Sequence, residues 1–366
     1  MGFTTGSAAS AAAKAALMAL VRQKEPEQVC IALPGGGSLD IPVSKVQRLS
    51  SRRAMAVVIK DAGDDPDVTH KAEIQALVEI SSRSHGEPDI LIRGGKGVGE
   101  ITRPGLELPV GEPAINQVPR EMIRHELREI MKSQGPKGQD KLAVRVEIAV
   151  PEGERLAKHT LNPRLGIVGG ISIIGTTGLV KPFSHEAYTA TIESGMSVAR
   201  ASHLDEVVLT TGGKSEKMAM GIRPDLPEQA FIQIADFYGF ALRQAAAQDF
   251  SRVGLVVFFG KAVKQAAGME YTHARQAPLD LAVLADWLKQ NGAGPDLCQK
   301  TAEANTARQV LELLRIAARL DLVGAVGRRL MASARDYLGS GPRFWVVIVD
   351  YDGSVLFEST SQGVDK

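Results

Sequence analysis

Cysteine is nearly missing from this 366-residue sequence: Cys30 and Cys298 stand far apart and neither belongs to a C-x-x-C pair. That excludes a disulfide framework and a cysteine-built zinc site, and a reducing cytoplasm is the expected location. Net charge is nearly missing too, at +1 from 43 basic and 42 acidic side chains, with no basic tail. Nothing here attracts a phosphate backbone, so no nucleic-acid partner is expected. No apolar run reaches the roughly 20 residues that span a bilayer. The nearest, SAASAAAKAALMALV from Ser7, carries Lys14 inside it and lacks the basic leading segment of a signal peptide. It reads as a buried helix, and no membrane partner is expected. Histidine spacing offers no H-E-x-x-H among His70, His85, His125, His159, His185, His203 and His273. There is also no G-x-S-x-G elbow and no EF-hand loop, so no protein metal site is expected.

What is present is an ordinary globular composition, 44% hydrophobic and 23% charged, on a chain long enough for two domains. Alanine-rich residues 7–23 predict a helix, with Thr5 or Ser7 as cap. Strand patterns follow at 29–33, 39–43, 54–59, 72–81 and 89–92. A helix opens at Pro119 with Met122, Ile123, Leu127, Ile130 and Met131 on one face, and a strand follows at 142–150. This α+β pattern defines a first domain over residues 1–150. Residues 151–366 read as a three-layer α/β domain with a largely parallel or mixed sheet. Its strands fall at 165–168, 207–210 and 253–259, its helices at 187–202 and 231–247. Helices dominate residues 279–338, and a hairpin closes around Tyr351-Asp352-Gly353.

Three glycine-rich stretches attract notice. RGGKGVGEITRPG, from Arg93 to Gly105, places Gly94, Gly95, Gly97 and Gly99 around Lys96. It is not a P-loop, because Lys96 is followed by glycine rather than a magnesium-binding hydroxyl. It is not a dinucleotide fingerprint either, since the spacing is G-x-G-x-G. An anion-binding nest and a purely structural turn both remain open. A second stretch ends in Gly175-Thr176-Thr177-Gly178, and a third is Thr210-Thr211-Gly212-Gly213-Lys214 at the end of a strand. KDAGDDPDVTH gathers Asp61, Asp64, Asp65 and Asp67, either a general base or a solvated turn.

Taken together, these stretches resemble one family, the cobalt-precorrin-5B C(1)-methyltransferases (CbiD) of anaerobic cobalamin biosynthesis. The resemblance is carried in order by GFTTGSAASAAAKAAL, KDAGDDPDVTH, GGKGVGEITRPGLELPVGEPAINQVPREMI and LNPRLGIVGGISIIGTTGLVKPFS, then by Gly260-Lys261 and Tyr271-Thr272-His273. It is weakest over residues 279–338. It implies transfer of a methyl group from S-adenosylmethionine, as cosubstrate, to carbon 1 of a cobalt-containing corrinoid, giving cobalt-precorrin-6A. Cobalt then arrives within the substrate. It also implies an α+β domain followed by a three-layer α/β domain, unlike the other methyltransferases of the pathway. The family pattern has cysteine where this chain has Ala8, proline at Gln117 and a smaller residue at Lys71.

Under that resemblance, alignment of the reacting groups should dominate catalysis, and the conjugated carbon needs no protein nucleophile. Asp64, Asp65 and His185 are candidate proton acceptors. Thr4, Thr5, Lys96, Arg103, Arg120, Arg164 and Lys181 are candidate contacts for a substrate rich in carboxylates. The glycines of the three stretches, with Thr176 and Thr177, are candidate cofactor contacts. A homodimer and neighbouring enzymes of the pathway are possible partners. Two rival readings are a small-molecule kinase, for which Gly6-Ser7-Ala8-Ala9-Ser10 supplies a glycine-serine loop before a helix, and a non-catalytic corrinoid-binding protein.

Overall fold

The computed structural model describes residues 2–83, 88–133, 142–181, 184–273 and 279–359; His85, Pro182 and Phe183 lie outside them. The chain forms two compact units, Met1–Ser184 and His185–Lys366.

The alanine run forms α1 (Thr5–Val21), buried nearly all round. Ala8, Ala9, Ala11, Ala12, Ala13, Ala15, Ala16 and Ala19 are wholly inaccessible, and their small side chains let the helix lie close against a sheet. That sheet comprises β1 (Lys45–Arg48), β2 (Arg53–Ile59), β3 (Glu73–Ser82), β4 (Ile90–Gly94) and β5 (Leu142–Ala149). Its order is β1-β2-β3-β5-β4, antiparallel except where β5 runs parallel to β4. Alternation selects one face: Ala54, Ala56 and Val58, then Ile74, Ala76 and Val78, then Val144, Val146 and Ile148 are all buried. Helix α2 (Gln117–Lys132) adds the stripe expected of it, Met122, Ile123, Leu127, Ile130 and Met131. The one charge inside the α1 run is accommodated: the Lys14 ammonium donates to Glu126 Oε2 and to the Cys30 carbonyl, each at 2.6 Å.

Helix α2 starts at Gln117, two residues before the proline expected to open it. The first compact unit runs on past residue 150 to Ser184. Residues 166–180 supply short strands that pair within the first unit: Ile167–Val168 with Glu100–Ile101, Gly170–Ile171 with Gly97–Val98, and Leu179–Val180 with Gly2–Phe3. The 165–168 run is therefore not the first strand of the second unit.

In the second unit that first strand is β6 (Glu206–Thr210), followed by β7 (Phe231–Gln233), β8 (Arg252–Phe258), β9 (Arg343–Val349) and β10 (Val355–Glu358). The order is β7-β6-β8-β9-β10, parallel throughout except for the antiparallel edge strand β10. Helices α3 (His185–Ala201), α4 (Gly213–Ile222), α5 (Tyr238–Ala247) and α6 (Phe259–Ala266) lie among the strands in sequence. Helices α7 (Leu281–Gln290), α8 (Pro295–Ala302), α9 (Ala307–Ile316) and α10 (Val323–Leu338) precede β9. Cores form on both sheet faces, Val207, Leu209, Val253 and Leu255 on one, Val208, Val256 and Val347 with Ala219 of α4 on the other. The 231–247 segment is not one helix: its first three residues form β7 and its last ten form α5. The chain is thus a mixed α/β protein.

Candidate functional site

In the first unit, three of the quoted stretches converge on the start of α1. Thr4 caps the helix by accepting from the Ser7 N–H at 3.2 Å, and its own N–H donates to the Gly178 carbonyl at 3.1 Å. Thr5 Oγ1 accepts from the Ile174 N–H at 2.9 Å, and Ser7 Oγ donates to the Gly178 carbonyl at 2.6 Å. Gly175 and Gly178 sit where side chains would meet Thr4 Oγ1 at 2.2 Å and Leu33 Cδ2 at 2.7 Å. The Thr4 and Thr5 hydroxyls therefore bind the chain itself, and Thr5 is buried. Thr176, Thr177 and Lys181 beside them are exposed. The kinase-like loop is buried as well: Ser7 and Ser10 are inaccessible, and a side chain at Gly6 would overlap Pro119. No phosphate reaches it.

The acidic turn adjoins this cap, since the Phe3 N–H donates to the Asp61 carbonyl at 2.8 Å. Its organising carboxylate is Asp67, which takes the buried Lys60 ammonium at 2.5 Å and the Thr69 N–H and hydroxyl at 2.7 Å each. Burial works to raise the Asp67 carboxyl, but the Lys60 and Thr69 donors outweigh it and hold the group below its ordinary value. Asp64 and Asp65 carry no side-chain hydrogen bond or ion pair among the described residues; Asp64 is exposed and Asp65 half-buried.

The opening glycine stretch is explained by packing. Gly97, at φ +73°, and Gly153 cross so closely that a side chain on either would come within 1.9 Å of carbonyl oxygen. A side chain on Gly99 would meet Ile167 at 2.4 Å, and both Gly97 and Gly99 are buried. Gly94 is exposed, Gly95 lies against Glu147, and Lys96 is exposed. Two of the five candidate arginines and lysines of this unit, Arg120 and Arg103, hydrogen-bond to the chain itself. Arg120 is only 12% exposed and donates to the Ile115 carbonyl at 2.6 Å, the Pro113 carbonyl at 3.1 Å and Glu112 at 2.9 Å. It braces the segment before α2. Arg103 lies over Gly166 and donates to the Arg164 carbonyl at 3.2 Å, and both arginines are half-buried.

The three departures from the family pattern have physical readings. Ala8 is wholly buried in α1, so a thiol there would be a packing group and not an accessible nucleophile. Gln117 is the first residue of α2, where proline loses no hydrogen bond and glutamine is equally at home. Lys71 adopts φ +63°, a left-handed conformation that glycine, lacking a Cβ, enters more easily.

The second unit offers an open arrangement at the carboxyl ends of its parallel strands. Strand β6 neighbours β7 on one side and β8 on the other, so the connection order reverses at β6, where α/β sheets bind ligands. The loop there is Thr211-Gly212-Gly213 leading into α4. A Cβ added at Gly212 or Gly213 would meet no atom within 4 Å, the opposite of Gly97. Ser215 Oγ accepts from the Thr211 N–H at 3.0 Å and donates to the Gly212 carbonyl at 2.9 Å, fixing the turn. The first N–H groups of α4 remain available to an anion or polar ligand.

After β7 comes Asp236, which the sequence reading missed. Its Oδ1 is 3.0 Å from both the Lys261 ammonium and the Thr272 hydroxyl. An acidic group at the end of the second strand, roughly 20 residues after the glycine turn, is where dinucleotide folds hold ribose hydroxyls. The strand inside the supposed 231–247 helix concealed it. His185 opens α3, exposed, with its ring 5.2 Å from Phe237 and 4.8 Å from Tyr271. The amino ends of the strands are closed instead by Glu206, which pairs with Arg223, Arg252 and the Trp345 indole. Among the described residues, no three metal-ligating side chains converge and no helix is long and apolar enough to cross a membrane.

The family profile described as CbiD matches residues 1–182, and that described as CbiD, C-terminal domain, matches residues 271–360. The cobalt-precorrin-5B C(1)-methyltransferase of Nitratidesulfovibrio vulgaris is 44% identical over 364 residues, covering 97% of this chain and 91% of its own. Its counterpart from Thermus thermophilus is 44% identical over 96% of this chain and 92% of its own. That from Geobacillus sp. (strain WCH70) is 46% identical over 86% and 83%. The crystal structure of the cobalamin biosynthesis protein from Archaeoglobus fulgidus aligns over 87% of this chain and 84% of that one, at 24% identity and a TM-score of 0.36. On this near-full-length identity to its relatives, the chain belongs to the CbiD family.

Proposed function

We infer that this chain is a C-methyltransferase that moves a methyl group from S-adenosylmethionine to carbon 1 of cobalt-precorrin-5B, giving cobalt-precorrin-6A in the anaerobic route to cobalamin. The observation that supports it is 44% identity, over almost the whole length, to relatives named for that reaction. When bound, the sulfonium cosubstrate supplies an electrophilic methyl group. The residues at the strand ends of the second unit fit it. Gly212 and Gly213 leave room for close approach, the first N–H groups of α4 suit its carboxylate, and Asp236 suits its ribose hydroxyls. His185 is the proton acceptor on this surface; in the first unit the alternatives are Asp64, which is exposed, and Asp65, which is half-buried. Within the first unit, Lys96, Lys181, Thr176 and Thr177 are exposed and Arg103 and Arg164 half-buried, side chains suited to carboxylate groups.

Gly213→Leu tests the placement, because a Cβ added there meets no protein atom within 4 Å. Calorimetric titration with S-adenosylmethionine should show affinity at least tenfold weaker than in the parent, with the unfolding temperature unchanged. Equal affinity in the two proteins moves the cosubstrate away from this turn.

A further inference from the structure

The second unit carries five rings in mutual contact at the margin of its core. Besides the His185 contacts, Tyr188 stacks on Phe237 at 5.3 Å, Phe237 meets Tyr271 at 5.0 Å, and Tyr271 stacks on His273 at 6.0 Å. Rings that serve only a core are normally covered. Here His185 is exposed, Tyr188 keeps 37% of its surface, and the other three are half-buried.

The backbone beneath these rings is braced beyond what a surface loop needs. Thr272 is 1% exposed; its N–H donates to the Asp236 carbonyl at 3.0 Å and its hydroxyl to Asp236 Oδ1 at 3.0 Å. Its carbonyl accepts from the Lys264 ammonium at 3.1 Å, and the Gly239 N–H donates to the neighbouring Glu270 carbonyl at 3.0 Å. Alternate side chains of an extended segment point to opposite sides. Pinning Thr272 inward therefore turns Tyr271 and His273 outward together, and their planes lie 18° apart. Ala235, just before Asp236, is held at φ +44°, with its carbonyl taken by Lys261 at 2.8 Å. A strained residue kept in place by its surroundings is a mark of a functional surface.

We propose that these rings form the face against which the flat conjugated macrocycle of the corrinoid lies, with Lys261 and Lys264 beside it for its carboxylate side chains. The inference rests on the methyltransferase reading above and assigns the substrate's place in it. The contacts run from Tyr188 through Phe237 and Tyr271 to His273, in two nearly parallel pairs whose inner rings, Phe237 and Tyr271, are inclined by 59°. Stacking on aromatic faces also suits a large π-system whose substituents change along a pathway, because it reads the plane and not the edge.

The test uses the full chain with Tyr271→Leu, Tyr271→Phe and the surface variant Tyr188→Leu. Cobyrinic acid, a cobalt corrinoid with free carboxylates, is titrated by its visible absorption, and S-adenosylhomocysteine by calorimetry, with unfolding temperatures measured alongside. Both leucine variants should bind cobyrinic acid at least tenfold more weakly, Tyr271→Phe should bind it like the parent, and S-adenosylhomocysteine affinity should not move. Parent-like corrinoid affinity in both leucine variants overturns the proposal, as does a loss confined to S-adenosylhomocysteine, which gives the rings to the cosubstrate. A parent protein that binds S-adenosylhomocysteine but no corrinoid removes the substrate reading itself, and with it the proposal.

Discussion

Four aspartates of the acidic turn look alike in the sequence, yet the fold treats them differently. Asp67 faces a lysine that is 1% exposed, while Asp64 is exposed and Asp65 half-buried without such a partner among the described residues. The distinction was not legible beforehand, because Lys60 looks like any surface lysine until β2 is seen to carry it inward. Burying a charge is unfavourable unless it is paired, so Asp67 serves stability first. Replacing it with alanine leaves the Lys60 ammonium buried alone and should lower stability by about 3 kcal/mol at neutral pH. The folded-state value of Asp67 lies below its ordinary 3.8, so its contribution is complete above that value and is lost as pH falls through the depressed one. Urea unfolding of the parent and Asp67→Ala should therefore give a gap that is constant above pH 5 and closes toward strong acid. A gap that is independent of pH contradicts the pairing.

Among the elements, glycine was the hardest residue to read. Gly97 and Gly213 both sit in glycine-rich stretches after strands, and local sequence does not separate them. What separates them is a partner far along the chain: Gly153 and the Val150 carbonyl press on Gly97, while nothing presses on Gly213. Gly97→Ala combines a left-handed φ with an overlap at 1.9 Å and should cost about 3 kcal/mol, read as a lowered unfolding temperature. An unchanged temperature would show that the crossing relaxes freely. The periodic elements were legible for the converse reason. The α2 stripe and the alternation of β2, β3 and β5 are local patterns, and each formed where its spacing placed it. The 231–247 segment was misread because three residues of strand are too few to break a helical period.

At the scale of the whole molecule, the first compact unit runs on past residue 150 to Ser184, and three short strands from residues 167–180 pair within it. Long-range pairs of two residues each leave no periodic trace in sequence. The motifs nevertheless identified the family, since their order along the chain is itself information that no single motif carries. The account of the chain as a C-methyltransferase is tested most directly by single turnover of the purified protein with cobalt-precorrin-5B and S-adenosylmethionine bearing a carbon-13 methyl. A product heavier by one labelled methyl, assigned to carbon 1 by its carbon resonance, is the predicted result. Unmodified corrinoid recovered under conditions where both substrates bind contradicts it.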